Sequence, residues 1–132
     1  MRILERIITR VERGRWAELA AIEQRFEAVE RKYGFPTGHR YRAGAGGSDM
    51  NTMVLHREWD SYAAREKAYE SALADPEWQK VGADSRGIIA SSQAEFYHPV
   101  DLAELAKRTT PEAAVGGRPI IAHLPGGMDV VK

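Results

Sequence analysis

Apolar residues recur with two different periods along the chain, and the switches between those periods predict its elements. Residues 2–12 (RILERIITRVE) alternate as a strand, with Ile3, Ile7 and Val11 on one face and Leu4 and Ile8 on the other. Apolar side chains on both faces mean that both sides of the sheet need cover, although Glu5, Arg6 and Arg10 share those faces. Gly14 breaks the strand. Over residues 15–33 the period becomes helical, and Trp16, Leu19, Ala20, Phe26, Val29 and Tyr33 form one apolar stripe. Glu27 and Arg31 make an i,i+4 pair on the solvent side. Gly34 and Pro36 supply the stop.

Alternation resumes over 38–43 and 50–58, on either side of the turn-forming stretch GAGGSD, and predicts an antiparallel hairpin. His39 and Tyr41 point one way, Arg40 and Arg42 the other. Met50, Thr52, Val54 and His56 share a face opposite Met53, Leu55 and Arg57. Asp60 or Ser61 caps a second helix running to about Leu73, with Tyr62, Ala63, Ala68, Tyr69, Ala72 and Leu73 on its inner side. Asp75 as N-cap and Pro76 at the first helical position open a short helix through Glu77–Val81. Residues 88–98 form the last strand, closed by Pro99. The order β-α-β-β-α-β is the ferredoxin-like α+β arrangement. Its two helices cover one face of the sheet, and a second copy of the chain is the economical cover for the other.

Composition shifts once. Residues 99–132 hold Pro99, Pro111, Pro119 and Pro125, four of the chain's 6 prolines. This divides the chain into a compact domain, 1–98, and a C-terminal extension, 99–132. In the extension, Asp101 caps a short helix over 100–108 that carries Leu102 and Leu105. The apolar run 119–124 is unlike a free polar tail. Ile120, Ile121 and Leu124 are expected to dock in extended form on their own domain or on a partner subunit, bringing His123 near a pocket mouth.

Charge and cysteine content narrow the partners. The 132 residues carry 19 Lys+Arg and 19 Asp+Glu, so the formal net charge is zero. A nucleic-acid partner normally demands a basic excess, and none is expected here. The absence of cysteine excludes disulfides, thiolate metal sites and cysteine nucleophiles, and fits a cytoplasmic protein. No stretch approaches the roughly 20 apolar residues that span a bilayer, and charges interrupt the N-terminal apolar run, so neither membrane span nor signal peptide is expected.

The run MNTMVLHREWDSYAAREKAYESALADPEWQKV resembles the NIPSNAP-like branch of the dimeric α+β barrel superfamily. In that pattern a strand ends on an aromatic residue (here Trp59), a helix rich in charged and small residues follows (Asp60 to Leu73), and a DPEW-type turn closes the segment (Asp75, Pro76, Glu77, Trp78). The resemblance covers about residues 1–98. It implies a homodimer with two four-stranded sheets face to face, and a pocket in each subunit between sheet and helices. Families on this fold include antibiotic biosynthesis monooxygenases that need no cofactor, haem-degrading enzymes and small polyketide cyclases. Fold alone does not choose among them.

Candidate chemistry centres on His39 and His56, which fall on the paired strands. Only histidine titrates near neutral pH without help, so either could take a C–H or phenolic proton if it pointed into a sheet–helix pocket. The alternative is a histidine satisfied by a backbone neighbour or placed at the dimer face. The aromatics Tyr41, Trp59 and Tyr97 are candidate ligand-binding residues, as is Arg40, which meets either an anionic ligand or solvent. Core packing is the competing role for the aromatics. The histidine spacing 39, 56, 98, 123 contains no metal motif, and no metal or cofactor is expected. The stretch AGAGGSD matches neither phosphate-loop pattern and opens no helix. Ser91 and Ser92 lack a nearby base, and Glu23 and Glu27 read as a solvated face. Two functions stay open. One is a small-molecule-binding protein or cofactor-independent enzyme, of monooxygenase or cyclase type, acting on a hydrophobic, aromatic or polyketide-like compound. The other is a non-catalytic homodimeric binding or interaction module.

Overall fold

The computed structural model describes residues 1–47 and 49–107, together with the strands Ile121–Leu124 and Met128–Val131. The elements run β1 (Ile3–Val11), α1 (Trp16–Lys32), β2 (His39–Arg42), β3 (Thr52–Trp59), α2 (Tyr62–Leu73), α3 (Pro76–Asp84) and β4 (Ile89–Tyr97). The four strands make one antiparallel sheet in the order β2-β3-β1-β4, as expected for a ferredoxin-like α+β fold. In register, Ile7 of β1 lies opposite Leu55 of β3 and Ala94 of β4.

Two clusters lie between the helices and the odd-numbered residues of β1 and β3. Val11, Leu19, Ile22, Met53, Val81 and Ile88 form the first; Ile3, Phe35, Trp59 and Ala72 form the second. Each Val, Leu, Ile, Phe or Met among them contributes about 1.5–3 kcal/mol on leaving water. The chain enters the second cluster through the end of α1. Gly34 takes φ +74°, Gly34 N–H donates to the Arg31 carbonyl, and Phe35 N–H donates to the Glu30 carbonyl. This Schellman turn needs a residue free of the Cβ clash at positive φ, and it drops Phe35 into the core.

Helix starts follow the expected chemistry. Ser61 Oγ accepts from Ala64 N–H at the start of α2, and Asp75 Oδ1 accepts from Glu77 N–H at the start of α3. Helix α3 runs three residues beyond the expected end at Val81. Leu73, expected on the inner side of α2, is 55% exposed, whereas Ala72 is fully buried. The α2 stripe is short because α3 takes over the cover: Trp78 packs against Phe26 at 4.7 Å and Tyr69 at 6.0 Å between ring centroids.

Residues Met1–Pro99 form one unit and Val100–Lys132 a second. The second contains α4 (Leu102–Lys107), whose start is capped by Asp101 Oδ1 accepting from Ala103 N–H at 2.9 Å. It also contains a two-stranded antiparallel ladder of β5 (Ile121–Leu124) and β6 (Met128–Val131), with Ile121 opposite Val131. The extended backbone expected at 121–124 is present, and its partner strand was not anticipated. The docking of Ile120, Ile121 and Leu124, and the place of the His123 side chain, lie outside the described residues. Among the described residues no helix is long and apolar enough to cross a membrane.

Candidate functional site

Strand alternation sends odd-numbered residues of β1 and β3 beneath the helices, and three of them are polar: Glu5, Thr9 and Arg57. A charge there is tolerated only with opposite charges and hydrogen bonds around it. Glu5, fully buried, accepts from the Trp59 indole N–H at 2.9 Å through Oε1 and from Arg65 Nε at 2.6 Å through Oε2. Arg57 donates to Glu30 Oε1 at 2.9 Å and to the Pro36 carbonyl at 3.1 Å. Its other terminal nitrogen reaches Tyr69 OH at 3.5 Å and lies 3.6 Å from Glu5. The five side chains Glu5, Glu30, Arg57, Arg65 and Tyr69 thus tie β1, β3, α1 and α2 together.

Burial shifts two members of this cluster, Glu30 and Tyr69. Desolvation raises the Glu30 carboxyl above its ordinary value, against the attraction of Arg57 and Arg40. The Tyr69 hydroxyl is pushed up to about 12, first by desolvation and then by the Glu5 charge. Tyr69 therefore stays protonated at neutral pH and acts as a hydrogen-bond donor or acceptor, not as a base.

Beside the cluster a cavity of about 450 Å³ opens between sheet and helices, reaching the half-uncovered strand β4. Ile7, Phe26, Leu55, Trp78 and Ile89 give it an apolar wall; Thr9, Arg65, Tyr69 and Ser92 supply polar groups. That volume and mix fit a small organic ligand. Glu23 and Glu30 also line it. Both carboxylates are occupied, Glu30 by Arg57 at 2.9 Å and Glu23 by Arg40 at 3.1 Å.

The residues singled out in the sequence divide between the two faces of the sheet. His39 and His56 are direct cross-strand partners, as β2 and β3 predict, but both stand on the face away from the helices. Neither points into the sheet–helix cavity, because the odd positions of β3 and the even positions of β2 take the helix side. The two histidines share an outer groove of about 440 Å³ with Tyr41, whose ring lies 5.2 Å from that of His56. Tyr97 is also on the outer face, but on β4, two strands from His56, and its hydroxyl donates to Glu95 at 2.7 Å. Trp59 is on the helix side, 3% exposed, and forms part of the core. Arg40 is partly buried, bridges Glu23 at 3.1 Å and Glu27 at 3.2 Å, and lines a smaller hollow beside Trp16 and Leu19. The expected pairing of Glu27 with Arg31 gives way to this bridge, and Glu23 is not a solvated residue. Arg42, its companion, stacks 4.2 Å above the Trp16 ring.

Glu5, Glu30, Arg57, Arg65 and Tyr69 were not among the candidates. Their signal was a charge on an otherwise apolar face: Glu5 among Ile3 and Ile7, Arg57 among Met53 and Leu55. The sheet and cavity fit one family pattern, and the NIPSNAP family model matches residues 6–104. This chain belongs to the NIPSNAP family. Among solved structures, an uncharacterized NIPSNAP-like domain protein from Burkholderia xenovorans is 20% identical, with 76% of this chain and 86% of that one covered at a TM-score of 0.66. A NIPSNAP family protein from Agrobacterium tumefaciens is 19% identical, covering 76% and 95% at 0.66. SnoaB, a cofactor-independent oxygenase from Streptomyces nogalater, is 18% identical, covering 76% and 94% at 0.57. These likenesses establish the shared fold of this NIPSNAP chain. No curated protein is similar enough to count as a match.

Proposed function

We propose that this NIPSNAP protein binds a hydrophobic, flat, aromatic or polyketide-like small molecule in the cavity between sheet and helices. The observation that carries the reading is the cavity itself, about 450 Å³ with a mainly apolar wall and a few convergent donors. Cofactor-independent oxygenase chemistry, the activity of the structurally similar SnoaB, is the enzymatic form of the same reading. Against a catalytic base, both carboxylates lining the cavity are held by arginine, and Tyr69 keeps its proton. The residues favour binding, and an oxygenase step here would draw on the ligand's own acidity.

Titration with anthrone, a neutral tricyclic ketone, tests both forms. Saturable calorimetric binding that is lost in Trp78→Ala supports the cavity. Consumption of one O₂ per anthrone, yielding anthraquinone and water, would make the protein an oxygenase. Binding without oxygen uptake would make it a carrier or sensor. No binding at millimolar concentration leaves the non-catalytic interaction module as the better reading.

We also infer that two copies associate through the outer face of the sheet. Leu4, Ile8 and Val54 form its half-buried apolar centre. Arg6 Nε and His56 Nε2, opposite one another on β1 and β3, are buried without hydrogen-bond partners among the described residues. Arg6 and Arg10 lie on the same face as Glu58 and Glu95, so charges of both signs are available for pairing across a two-fold axis.

A further inference from the structure

Resting on the cavity reading above, we propose that Arg65 anchors an anionic oxygen of the ligand, so that the ligand class is an aromatic or polycyclic acid. The side chain is fixed before any ligand arrives. Its backbone follows the Ser61 cap by one helical turn, and Arg65 N–H donates to the Ser61 carbonyl at 3.2 Å. Its Nε is bound to Glu5 Oε2, and Glu5 is in turn held by Trp59. The guanidinium carbon lies 4.2 Å from the Tyr69 ring centroid and 4.7 Å from that of Phe96, which confines it between two aromatic rings. The rotamer entropy that a lysine or arginine usually loses on meeting a ligand is already lost.

One of the five guanidinium N–H groups is used among the described residues, and the side chain lines the cavity. The remaining terminal nitrogens present the forked edge that fits a carboxylate. The neighbouring cations are committed: Arg57 to Glu30, Pro36, Tyr69 and Glu5, and Arg40 to Glu23 and Glu27. Glu23 and Glu30 carry the opposite charge in the cavity wall, each paired with an arginine. An amphiphilic acid is therefore oriented, head to Arg65 with Tyr69 OH beside it, and body against Phe26, Trp78 and Leu55.

Anthracene-9-carboxylate and its neutral carboxamide, titrated calorimetrically at low salt, separate the anchor from the cavity. The wild-type protein is expected to bind the acid at least tenfold more tightly than the amide. Arg65→Gln should remove that preference, weakening the acid at least tenfold more than the amide, and Arg65→Lys should restore part of it. Equal binding of the two probes to the wild-type protein overturns the anchor and leaves the cavity standing. Equal weakening of both by a folded Arg65→Gln variant shows a structural role and also overturns the anchor. Binding of neither probe overturns the cavity reading and the anchor with it. If Arg65→Gln fails to fold, the wild-type preference and its dependence on salt decide: a preference that survives 1 M NaCl undiminished overturns the proposal.

Discussion

Arg57 Nη2 donates to Glu30 Oε1 at 2.9 Å, joining the middle of the sheet to the last turn of α1. The Arg57 side chain is 1% exposed and the Glu30 side chain 9%, so little water is available to either. A pair of this kind adds little over an apolar replacement of both partners, but removing one partner leaves the other charge stranded. Arg57 serves two buried carboxylates, Glu30 and Glu5, so its loss strands more than one. Arg57→Leu should lose about 3–5 kcal/mol of unfolding free energy in urea titration. The same denaturation of Arg57→Leu combined with Glu30→Leu should recover part of that loss, because the double variant buries fewer unpaired groups.

Trp59 tests the cluster from the apolar side. Its ring packs on Phe35 at 5.1 Å between centroids and its indole N–H donates to Glu5. Trp59→Ala combines a large cavity with a lost bond to a buried charge and should cost about 3–5 kcal/mol. Trp59→Phe keeps most of the packing and should cost about 1.5–3 kcal/mol, the range for a hydrogen bond to a charged group. A Phe variant as stable as the wild-type protein would show that Glu5 is satisfied without the indole.

The elements were legible because each rests on local chemistry. Gly34 and Pro36 stop α1, Ser61 and Asp75 start α2 and α3, and period-two alternation assigns the faces of β1, β2 and β3. The family resemblance to the Trp59–Trp78 segment also pointed to a sheet–helix cavity. The contents of that cavity were not legible. Pairings such as Glu5 with Arg65 and Arg40 with Glu23 join residues 60 and 17 positions apart, and no local rule selects them over solvent. His39 and His56 fall on paired strands as the alternation predicts, yet the face a strand turns to its helices depends on tertiary packing. What the sequence did carry was the anomaly of Glu5 and Arg57 on apolar faces, which is the physical mark of a buried polar cluster.

Asp75 predicts the acid limb of stability. It accepts from Tyr33 OH at 2.7 Å, Lys32 Nζ at 2.9 Å and Glu77 N–H at 2.8 Å, and these bonds hold its carboxyl at about 2, below the ordinary 3.8. A carboxylate with a lowered folded-state pKa stabilises fully above its unfolded value, and that contribution is lost as pH falls through the folded value. The melting temperature should therefore drop as pH is lowered from about 4 to about 2. Asp75→Asn retains a capping carbonyl but cannot titrate, so its melting curve should be shallower across the same interval. Parallel wild-type and variant curves would remove Asp75 from the account.

The outer face supplies the sharpest test of assembly. Ile8 lies opposite Val54 on β3 and Gln93 on β4, at the centre of the face turned away from the helices and from the sheet–helix cavity. A face-to-face dimer places Ile8 under the partner's sheet, where a charge has no opposite group directly across from it in its own sheet. Ile8→Glu should thus shift the light-scattering mass from two chains to one at micromolar concentration, while the monomer keeps its helical circular dichroism. A wild-type protein that scatters as a single chain, or an Ile8→Glu variant that stays at the wild-type dimer mass, would leave the apolar centre of Leu4, Ile8 and Val54 without this role.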